Sequence, residues 1–540
     1  MDKPFAITLD PGSSLANHTG SWRTFRPEYV DRLPPCNVAC PAGENIQAWL
    51  FHAESGDYEA AWRSLVENNP LPAIMGRVCY HPCEGGCNRQ HVDAAVGINS
   101  VERFLGDEAN KQGWKFAPPA AATGKRVLVV GSGPAGLSAA YHLTRMGHKA
   151  VIHEAAPLAG GMMRFGIPKY RLPREVLDAE IKRLVEFGVE IQLQTKVSDV
   201  QQALQDGFDA VFLGVGAHIA KRAYIPAGDA NKVLDAVAVL RGMEDHDAPM
   251  LGRKVVVYGG GNTAIDVART AKRLGAEEAI IVYRRTRDKM PAHDFEVEEA
   301  LQEGISIKWL STIKEAGESD IMVEKMALDD KGFPQPTGEF ERIEADSVVL
   351  ALGQDADLAL LENVPGLVVE GGMIQVDGGM MTGHPGVFAG GDMAGSERTV
   401  TVAVGHGKKA ARAIDAWLRG AAYAPAEKHE VATIERMNPW YYSDAPKTMR
   451  PVLDIIRRQS TFEEVLGGLD ENNALFEARR CMSCGNCFEC DNCYGVCPDN
   501  AVIKLGPGKR FRFNFDYCKG CGICATECPC GAIRMVAEEN

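Results

Sequence analysis

Two cysteine runs near the carboxyl end constrain the fold of this chain more than any other feature. Both runs have the spacing Cys-x2-Cys-x2-Cys-x3-Cys-Pro, and they consist of Cys487, Cys490, Cys493 and Cys497, and of Cys518, Cys521, Cys524 and Cys528. In this spacing three thiolates bind one [4Fe–4S] cluster and the fourth binds the neighbouring cluster. We therefore expect residues 479–540 to enclose two clusters that carry single electrons, with Cys497 in the second cluster and Cys528 in the first.

Zinc sites and disulfide bonds are the alternative uses of closely spaced cysteines. A structural zinc site needs four ligands, usually from two separated Cys-x2-Cys pairs, and disulfide bonds are typical of small secreted chains. Two tandem runs of four cysteines fit neither pattern. They are typical of a bacterial ferredoxin with two [4Fe–4S] clusters in an α+β fold.

The composition indicates a multidomain globular protein. Of the 540 residues, 45% are hydrophobic and 24% are charged, and the net charge of −14 argues against a nucleic-acid partner. No stretch reaches the roughly 20 apolar residues of a membrane span, and the amino terminus has no apolar signal segment. All 16 cysteines lie in the first ninety and last sixty residues. We expect a cytoplasmic protein with reduced thiols.

A first dinucleotide-binding pattern starts at residue 126. The predicted strand 126–130 leads into a glycine-rich loop and a helical stretch, and a second strand ends at Glu154. Glycines let the backbone approach a pyrophosphate at a helix amino terminus, and the acid binds a ribose hydroxyl. A chance glycine-rich turn is the alternative, but strand, helix and acid all have the expected spacing. The loop consists of Gly131, Ser132, Gly133, Pro134, Ala135 and Gly136.

A second such pattern starts at residue 254 and differs in its charged residues. Its loop and first helical positions are Gly259, Gly260, Gly261, Asn262 and Thr263. The strand that follows ends in Arg284 and Arg285 instead of an acid, with Arg287 nearby. Basic residues at this position accommodate the 2′-phosphate of NADP(H). NAD(H) binding, with the arginines as a solvated charge run, is the alternative.

The chain then returns to the first domain. Gly391 and Asp392 follow a predicted strand, where the carboxylate can bind ribityl or phosphate hydroxyls, and a helix begins near Thr399. The amino-terminal dipole of that helix would stabilise negative charge on a reduced flavin. The second domain is therefore predicted as an insertion in the first, with crossings at 213–216 and 351–353.

Three further motifs resemble one oxidoreductase family. The sequences at 160–173 (GGMMRFGIPKYRLP), 260–266 (GGNTAID) and 283–292 (YRRTRDKMPA) are similar to those of the small subunit of glutamate synthase and of the amino-terminal half of dihydropyrimidine dehydrogenase. The resemblance implies FAD at the first site, NADPH at the second, and an α-helical iron–sulfur domain before two Rossmann-like α/β domains. The resemblance also implies further contacts, which are Gly161, Met162, Arg171, Val197, Thr399 and Val400 for FAD, and Gly353 for NADP. No Cys-x4-Cys pair follows Gly161, so a disulfide reductase is not expected.

The same resemblance implies [4Fe–4S] clusters at the amino-terminal end. The matching ligands are Cys40, Cys79, Cys83 and Glu102 for one cluster, and Cys36 and Cys87 for another. A surface helix carboxylate is the alternative for Glu102. The second cluster lacks two cysteines that the family has at this end of the chain.

Cys481 and Cys484 have no role in the ferredoxin pattern. We hypothesise that they complete the cluster of Cys36 and Cys87, which would make four clusters in the chain. Two alternatives remain open, because spacing does not establish spatial closeness. One is three clusters in the chain, with this pair unused, and the other is ligands from a partner subunit.

These patterns predict six segments. They are an arm and helical cluster domain (1–118), an FAD domain in two parts (119–248 and 353–422), an NADP(H) domain (249–352), a linker with helices at 462–469 and 472–480 (423–478), and the ferredoxin domain (479–540). Bound cofactors would carry out the hydride and electron transfers, so no catalytic side chain is predicted.

The predicted function is electron transfer between NADP(H) and a partner protein. The expected partner is a ferredoxin or a catalytic subunit, as in complexes of the 2-oxoacid:acceptor oxidoreductase type, which would make the chain part of a hetero-oligomer. The small subunit of NADPH-dependent glutamate synthase is one alternative. A non-catalytic cluster scaffold that binds dinucleotides only as structure is the alternative from a different class.

Overall fold

The computed structural model describes residues 17–221, 233–244, 248–425, 427 and 429–538. The first sixteen residues of the predicted arm lie outside this range. The described part is the predicted mixed α/β protein with a helical domain at one end and a small cluster domain at the other. It contains no helix with the length and apolarity of a membrane span.

The first dinucleotide domain is built on a five-stranded parallel sheet. In spatial order its strands are Val387–Ala389, Ala210–Leu213, Arg126–Val130, Lys149–His153 and Glu190–Gln192. The inner strands are nearly continuous runs of buried aliphatic residues, because helices cover both faces of a parallel sheet. Its helices are Pro134–Arg145, Met162–Phe165, Arg174–Phe187, Val200–Gln205 and Val400–Leu418.

The second dinucleotide domain is a parallel sheet with an antiparallel sheet added to it. The parallel strands are, in spatial order, Ser306–Lys308, Glu278–Val282, Lys254–Tyr258, Ser347–Leu350 and Val233–Asp235. The antiparallel strands are Ser311–Ala316, Asp320–Leu328 and Pro334–Glu344. The helices are Ala236–Gly242, Asn262–Arg273 and Asp294–Gln302.

The boundary between these domains differs from the predicted residue 248. Strand Val233–Asp235 pairs with Ser347–Leu350 of the second sheet, and helix Ala236–Gly242 follows it there. A three-residue edge strand has no sequence signal of its own, and hydrogen bonding to its neighbour decides where it belongs. The two crossings lie side by side as an antiparallel pair, Ile219–Ala220 with Gln354–Asp355, close to the predicted crossing segments.

The helical domain and the ferredoxin domain share chain from both ends. The amino-terminal helices are Pro35–Ala39, Ile46–Glu54, Tyr58–Val66, Pro72–Val78, Pro82–Gly85 and Ile98–Gln112. The ferredoxin domain has helices Asn492–Val496 and Ile523–Thr526 and strands Val502–Lys504, Phe511–Phe513 and Ile533–Ala537. Strand Phe25–Tyr29 of the amino-terminal arm pairs antiparallel with Ile533–Ala537. Segments from near both ends of the chain therefore form one two-stranded sheet.

The linker contains two helices, Ile455–Ser460 and Glu471–Ala478. The predicted helix 462–469 is wrong, since this stretch is irregular and contains an isolated bridge between Val452 and Leu466. Each observed helix begins where an aspartate accepts a backbone hydrogen bond, Asp454 from Arg457 and Asp470 from Asn473.

A buried charge cluster joins the linker to the second dinucleotide domain. The Glu303 carboxylate accepts hydrogen bonds from Arg269 and Arg273 at 2.7 Å, and Arg458 of the linker lies 3.2 Å away. Arg273 also lies 3.9 Å from the ring centre of Tyr170, which belongs to the first domain. Burial alone would raise the pKa of Glu303, but hydrogen bonds from the arginines lower it to about 2. One carboxylate therefore neutralises part of the charge of three arginines at this contact.

We expect Glu303→Gln to destabilise this domain contact by about 3–5 kcal/mol, because it removes the carboxylate that pairs with buried Arg273 and Arg458. The lowered pKa means that the contribution is present above pH 4.5, the ordinary value for this group, and is lost as the pH falls toward 2. Thermal unfolding at neutral pH measures the effect. The matched control is Glu298→Gln, whose half-exposed carboxylate pairs with Arg287 and contributes about 0–1 kcal/mol. Equal melting temperatures for the two variants would contradict the assignment.

Candidate functional site

A large cavity lies where both dinucleotide domains meet the helical domain. Its volume is about 1360 Å³, whereas cavities for one small ligand measure roughly 300–1,000 Å³. Both glycine-rich loops line it, and so do Val78 and Tyr80 of the helical domain. The cavity therefore has room for two extended ligands, and it reaches both chain neighbours of Cys79.

Most residues predicted to bind FAD line one side of the cavity. They are Gly131, Gly133, Pro134, Ala135, Glu154, Gly161, Met162, Arg171, Val197, Gly391, Asp392, Thr399 and Val400. Ser132 and Gly136 lie behind the loop and support it. The backbone N–H and the hydroxyl of Ser132 donate to Glu154 at 2.8 and 2.6 Å. A Cβ on Gly136 would lie 2.0 Å from the carbonyl oxygen of Gly131, so the turn closes only with glycine there.

Most residues predicted to bind NADP line the other side. They are Gly259, Gly260, Gly261, Asn262, Thr263, Arg284, Arg285 and Gly353. Arg287 does not line the cavity, because its guanidinium pairs with Glu298. Lys289 does line it and was missed, although it stands in the motif 283–292. The buried Nε of Arg285 has no hydrogen-bond partner among the described residues, which suits an anionic group.

Two glycines test whether dinucleotides fit this cavity. Gly133 and Gly261 immediately precede helices Pro134–Arg145 and Asn262–Arg273, and their backbone is extended, with φ of −69° and −90°. A Cβ on either would meet no heavy atom of the described chain within 4 Å. Neither the backbone nor the packing requires glycine there. Glycine instead leaves each helix amino terminus open to a phosphate, so the residues present fit FAD and NADP(H).

The helical domain and the second dinucleotide domain meet at Asn262. Its side-chain amide donates to the hydroxyl of Tyr80 at 2.7 Å and accepts from the backbone N–H of His293 at 3.1 Å. The rings of Tyr80 and His293 stack with centres 3.6 Å apart. The side chain of Asn262 thus holds the helical domain against the second dinucleotide domain.

Arg171 has a similar role at the contact between the two dinucleotide domains. Its guanidinium pairs with Asp266 at 2.8 Å and with Glu296 at 2.5 Å, both in the second domain. Arg171 lines the cavity, but these carboxylates engage both of its terminal nitrogens. Direct contact between Arg171 and FAD therefore stays a prediction.

The structure brings the first predicted amino-terminal cluster set together. Burial raises the pKa of Cys79 to about 12, and Glu102 and Glu44 add to the shift. Cys40 and Cys83 have raised pKa values for the same reason, with Glu102 among the nearby charges. Glu102 is only 5% exposed, so the alternative of a surface carboxylate is wrong.

A second carboxylate, Glu44, lies beside this set and was missed by the sequence analysis. The side-chain amide of Asn69 donates to Glu44 at 2.9 Å and to Glu102 at 2.8 Å. Trp49 donates to Glu44 as well, at 3.2 Å. No pattern in the sequence singles out Glu44, because only the packing of two loops against helices Ile46–Glu54 and Ile98–Gln112 places it here.

The structure also brings together the four cysteines of the second amino-terminal set. They are Cys36, Cys87, Cys481 and Cys484, and all of them line one small cavity. Burial raises the pKa of Cys484 to about 12, with Cys87 adding to the shift. Buried Arg480 holds the carboxy-terminal pair in place, since it donates to the carbonyl oxygens of Ala94 and Ala95 and pairs with Asp93. These four cysteines are therefore close in space, which their spacing in the sequence could not establish.

The ferredoxin cysteines group across the two runs. The charges that act on Cys490 and Cys493 include Cys528, and those that act on Cys518 and Cys524 include Cys497. The fourth cysteine of each run thus lies with the other run. Cys490 and Cys521 are exposed. Cys530, which has no predicted role, has its sulfur 3.8 Å from that of Cys528.

The donor sets suit clusters better than single ions. Among the described residues, no three His, Cys, Asp or Glu side chains surround one ion-sized point. Ligands of a [4Fe–4S] cluster bind different iron atoms and stand further apart than the ligands of one ion. Burial raises the pKa of most of these thiols. That of Cys490, for example, is raised to about 11. Iron supplies the positive charge that lets such thiols bind as thiolates, so the residues present fit the clusters.

Profiles of known families match three parts of the chain. Residues 125–407 match the pyridine nucleotide-disulphide oxidoreductase profile, which is more than half of the chain. The chain belongs to the pyridine nucleotide-disulphide oxidoreductase family. Residues 32–114 of this oxidoreductase match dihydropyrimidine dehydrogenase domain II with a 4Fe-4S cluster, and residues 511–534 match a 4Fe-4S binding domain. No cysteine occurs within 125–407, so this oxidoreductase has no redox disulfide in that module.

Named relatives of the oxidoreductase include subunits of larger enzymes. The NADP(+)-dependent formate dehydrogenase subunit beta of Moorella thermoacetica is 37% identical over 83% of this chain and 70% of its own length. The NADPH-Fe(3+) oxidoreductase subunit beta of Geobacter sulfurreducens is 34% identical over 84% and 76%. The glutamate synthase [NADPH] small chain of Escherichia coli is 34% identical over 71% and 89%. The predicted resemblance is confirmed, and the chain is an oxidoreductase that uses FAD, NADP(H) and [4Fe–4S] clusters.

Proposed function

We propose that this oxidoreductase passes electrons between NADP(H) and a partner protein through FAD and four [4Fe–4S] clusters. Bound FAD exchanges a hydride with the nicotinamide and single electrons with a cluster. The glycine-rich loops of the shared cavity would hold the two dinucleotides, and Cys79, a candidate cluster ligand, stands between two residues that line this cavity. No side chain has to donate or accept a proton at the reacting carbon.

The position of Cys79 is the observation that carries this proposal. Its chain neighbours, Val78 and Tyr80, line the cavity. The hydroxyl of Thr401 lies near its sulfur and acts to lower the pKa of this thiol, and Thr399 and Val400, just before Thr401, line the cavity on the flavin side. One helix start thus contacts both the flavin site and a cluster ligand, which gives electrons a short exit.

The remaining cluster sites follow one another in the chain toward the carboxyl end. The Cys481–Cys484 pair belongs to the second amino-terminal set, and three residues later the chain enters the first ferredoxin run at Cys487. Tyr442 of the linker is half-buried near both sites, with Cys481, Cys484 and Cys490 among the charges that act on it. The exposed Cys521 at the far cluster marks the end that a partner would approach.

The proposed partner is a ferredoxin or a catalytic subunit of a hetero-oligomer. Two of the relatives described above are named as beta subunits, which supports assembly with a further subunit. Because thiol-bound clusters require reduced cysteines, a cytoplasmic location is part of the proposal.

Anaerobic reduction by NADPH tests the proposed function. We expect NADPH to bleach the flavin absorbance and the cluster signals in electron paramagnetic resonance to appear afterwards, without any partner. A protein that contains FAD but stays oxidised in the presence of NADPH would instead support the alternative of a non-catalytic cluster scaffold. NADPH oxidation that depends on glutamine and 2-oxoglutarate, after addition of a glutamate synthase large subunit, would support the small-subunit alternative.

We expect the double variant Arg284→Ala, Arg285→Ala to raise the KM for NADPH roughly 100-fold and to leave the KM for NADH nearly unchanged, because charge-assisted contacts to the 2′-phosphate are lost. Steady-state reduction of an artificial acceptor measures both constants. Arg287→Ala is the matched control, since this arginine pairs with Glu298 outside the cavity and its removal should change neither constant. A double variant that still prefers NADPH would contradict the specificity assignment.

A further inference from the structure

One face of helix Val400–Leu418 is built against the cluster site nearest the flavin. Thr401, Gly405 and Lys408 follow one another at intervals of four and three residues and therefore share a face. A Cβ on Gly405 would lie 2.1 Å from the carbonyl oxygen of Pro41, the residue after Cys40. Only glycine lets the helix approach the ligand loop this closely. The helix that begins at the flavin site thus lies directly against the loop that follows a candidate cluster ligand.

Lys408 places a buried ammonium group at this contact. The residue is 8% exposed, and its Nζ donates to the carbonyl oxygen of Gly43 at 2.8 Å and to the side chain of Asn68 at 3.2 Å. Both acceptors are neutral. Burial and nearby Arg412 lower the pKa of Lys408 to about 8, while Cys40 and Glu44 raise it. The negative groups that face this cation therefore belong to the cluster site.

A fixed positive charge beside a cluster changes its redox equilibrium. A [4Fe–4S] cluster with three thiolates and a carboxylate is anionic, and each electron that it accepts adds one negative charge. A cation in a poorly hydrated position stabilises the reduced cluster more than the oxidised one. Hydrogen bonds to ligand sulfurs act in the same direction, as the one from Thr401 to Cys79 would.

We propose that Lys408 is a positioning residue that raises the reduction potential of the cluster held by Cys40, Cys79, Cys83 and Glu102. Its charge makes this cluster the first acceptor for electrons that leave the flavin. The inference rests on the proposed function, because it requires a cluster at this site. It assigns to a lysine of the FAD domain a task in the neighbouring iron–sulfur domain.

Redox titration of the whole holoprotein, followed by electron paramagnetic resonance, tests the proposal. Lys408→Gln keeps a donor for Gly43 and removes the charge. We expect the equilibrium constant for reduction of this cluster to fall about tenfold or more, which corresponds to a potential about 59 mV more negative. Lys408→Arg should keep the wild-type potential. Lys409→Gln is the matched control, because this neighbouring lysine is exposed and its neutralisation should not change the potential.

The outcomes separate this inference from the proposed function. Wild-type protein without iron at this site would end the proposed function itself. Lys408→Gln protein with full iron and flavin content and an unchanged cluster potential would overturn only the role of Lys408. If the Lys408→Gln variant does not bind iron at this site, the Thr401→Val variant provides the test. Loss of its hydrogen bond should make the potential of the same cluster more negative, and an unchanged potential would refute a tuning role for this helix face.

Discussion

The double variant Cys481→Ser, Cys484→Ser is expected to lose about four of the roughly sixteen iron atoms in the chain, with full FAD content. The two cysteines line one small cavity together with Cys36 and Cys87. A cluster with two of its four thiolates removed would not be retained, whereas the other sites use separate cysteines. Iron analysis of anaerobically purified protein measures the loss directly.

The effect on electron flow should be equally large. Because the proposed path runs from the flavin through this site to the ferredoxin domain, reduction of the flavin by NADPH should persist, while reduction of the two ferredoxin clusters should slow strongly. Rapid-freeze electron paramagnetic resonance separates these events. Cys530→Ser is the matched control, since Cys530 lies beside Cys528 but completes no ligand set. A double variant with the wild-type iron content would remove the hypothesis of a cluster shared by the two chain ends.

Valine in place of Gly133 or Gly261 should block one of the two dinucleotide-binding sites and leave the other intact. Gly133→Val should weaken FAD binding at least about tenfold, because the side chain would occupy the approach to a helix amino terminus. Gly261→Val should leave the protein yellow but prevent reduction by NADPH. In both positions the added Cβ meets no described protein atom within 4 Å, so the apoprotein should fold normally. FAD release on denaturation and NADPH-dependent bleaching measure the two effects.

Gly378→Val is the control for this pair, since Gly378 also has open space around its Cβ but does not line the cavity. It should change neither FAD content nor bleaching. Melting temperatures must stay close to that of the wild type for all three variants. A Gly133→Val protein with wild-type flavin content would show that the first site does not bind a pyrophosphate at this loop.

Much of the architecture was predictable from local sequence patterns. Strand 126–130, its glycine loop and Glu154 were predicted together, because parallel strands are continuous apolar runs and a dinucleotide loop needs glycines at set intervals. The ferredoxin runs were predictable because cluster ligation demands a short, regular spacing. Lys289 and Arg287 were harder, since both lie in one basic stretch and only the ion pair with Glu298 turns Arg287 away from the cavity.

Contacts between distant segments could not be predicted in the same way. The edge strand Val233–Asp235 carries no signal of its own, and hydrogen bonding to Ser347–Leu350 places it in the second sheet. Tyr80, Glu44 and Lys408 have ordinary sequence surroundings. Each becomes part of a site only when segments that are distant in the chain pack against each other.

The sequence by itself determined the cofactors, because the ferredoxin runs and the glycine-rich loops each consist of residues that are close in the chain. It determined neither how the sites are joined nor which charges tune them. Those features depend on Cys36 meeting Cys481, on Thr401 reaching Cys79, and on Lys408 reaching the loop after Cys40. The physical reason is that packing, burial and electrostatic interactions act between residues that are near in space, however far apart they stand in the chain.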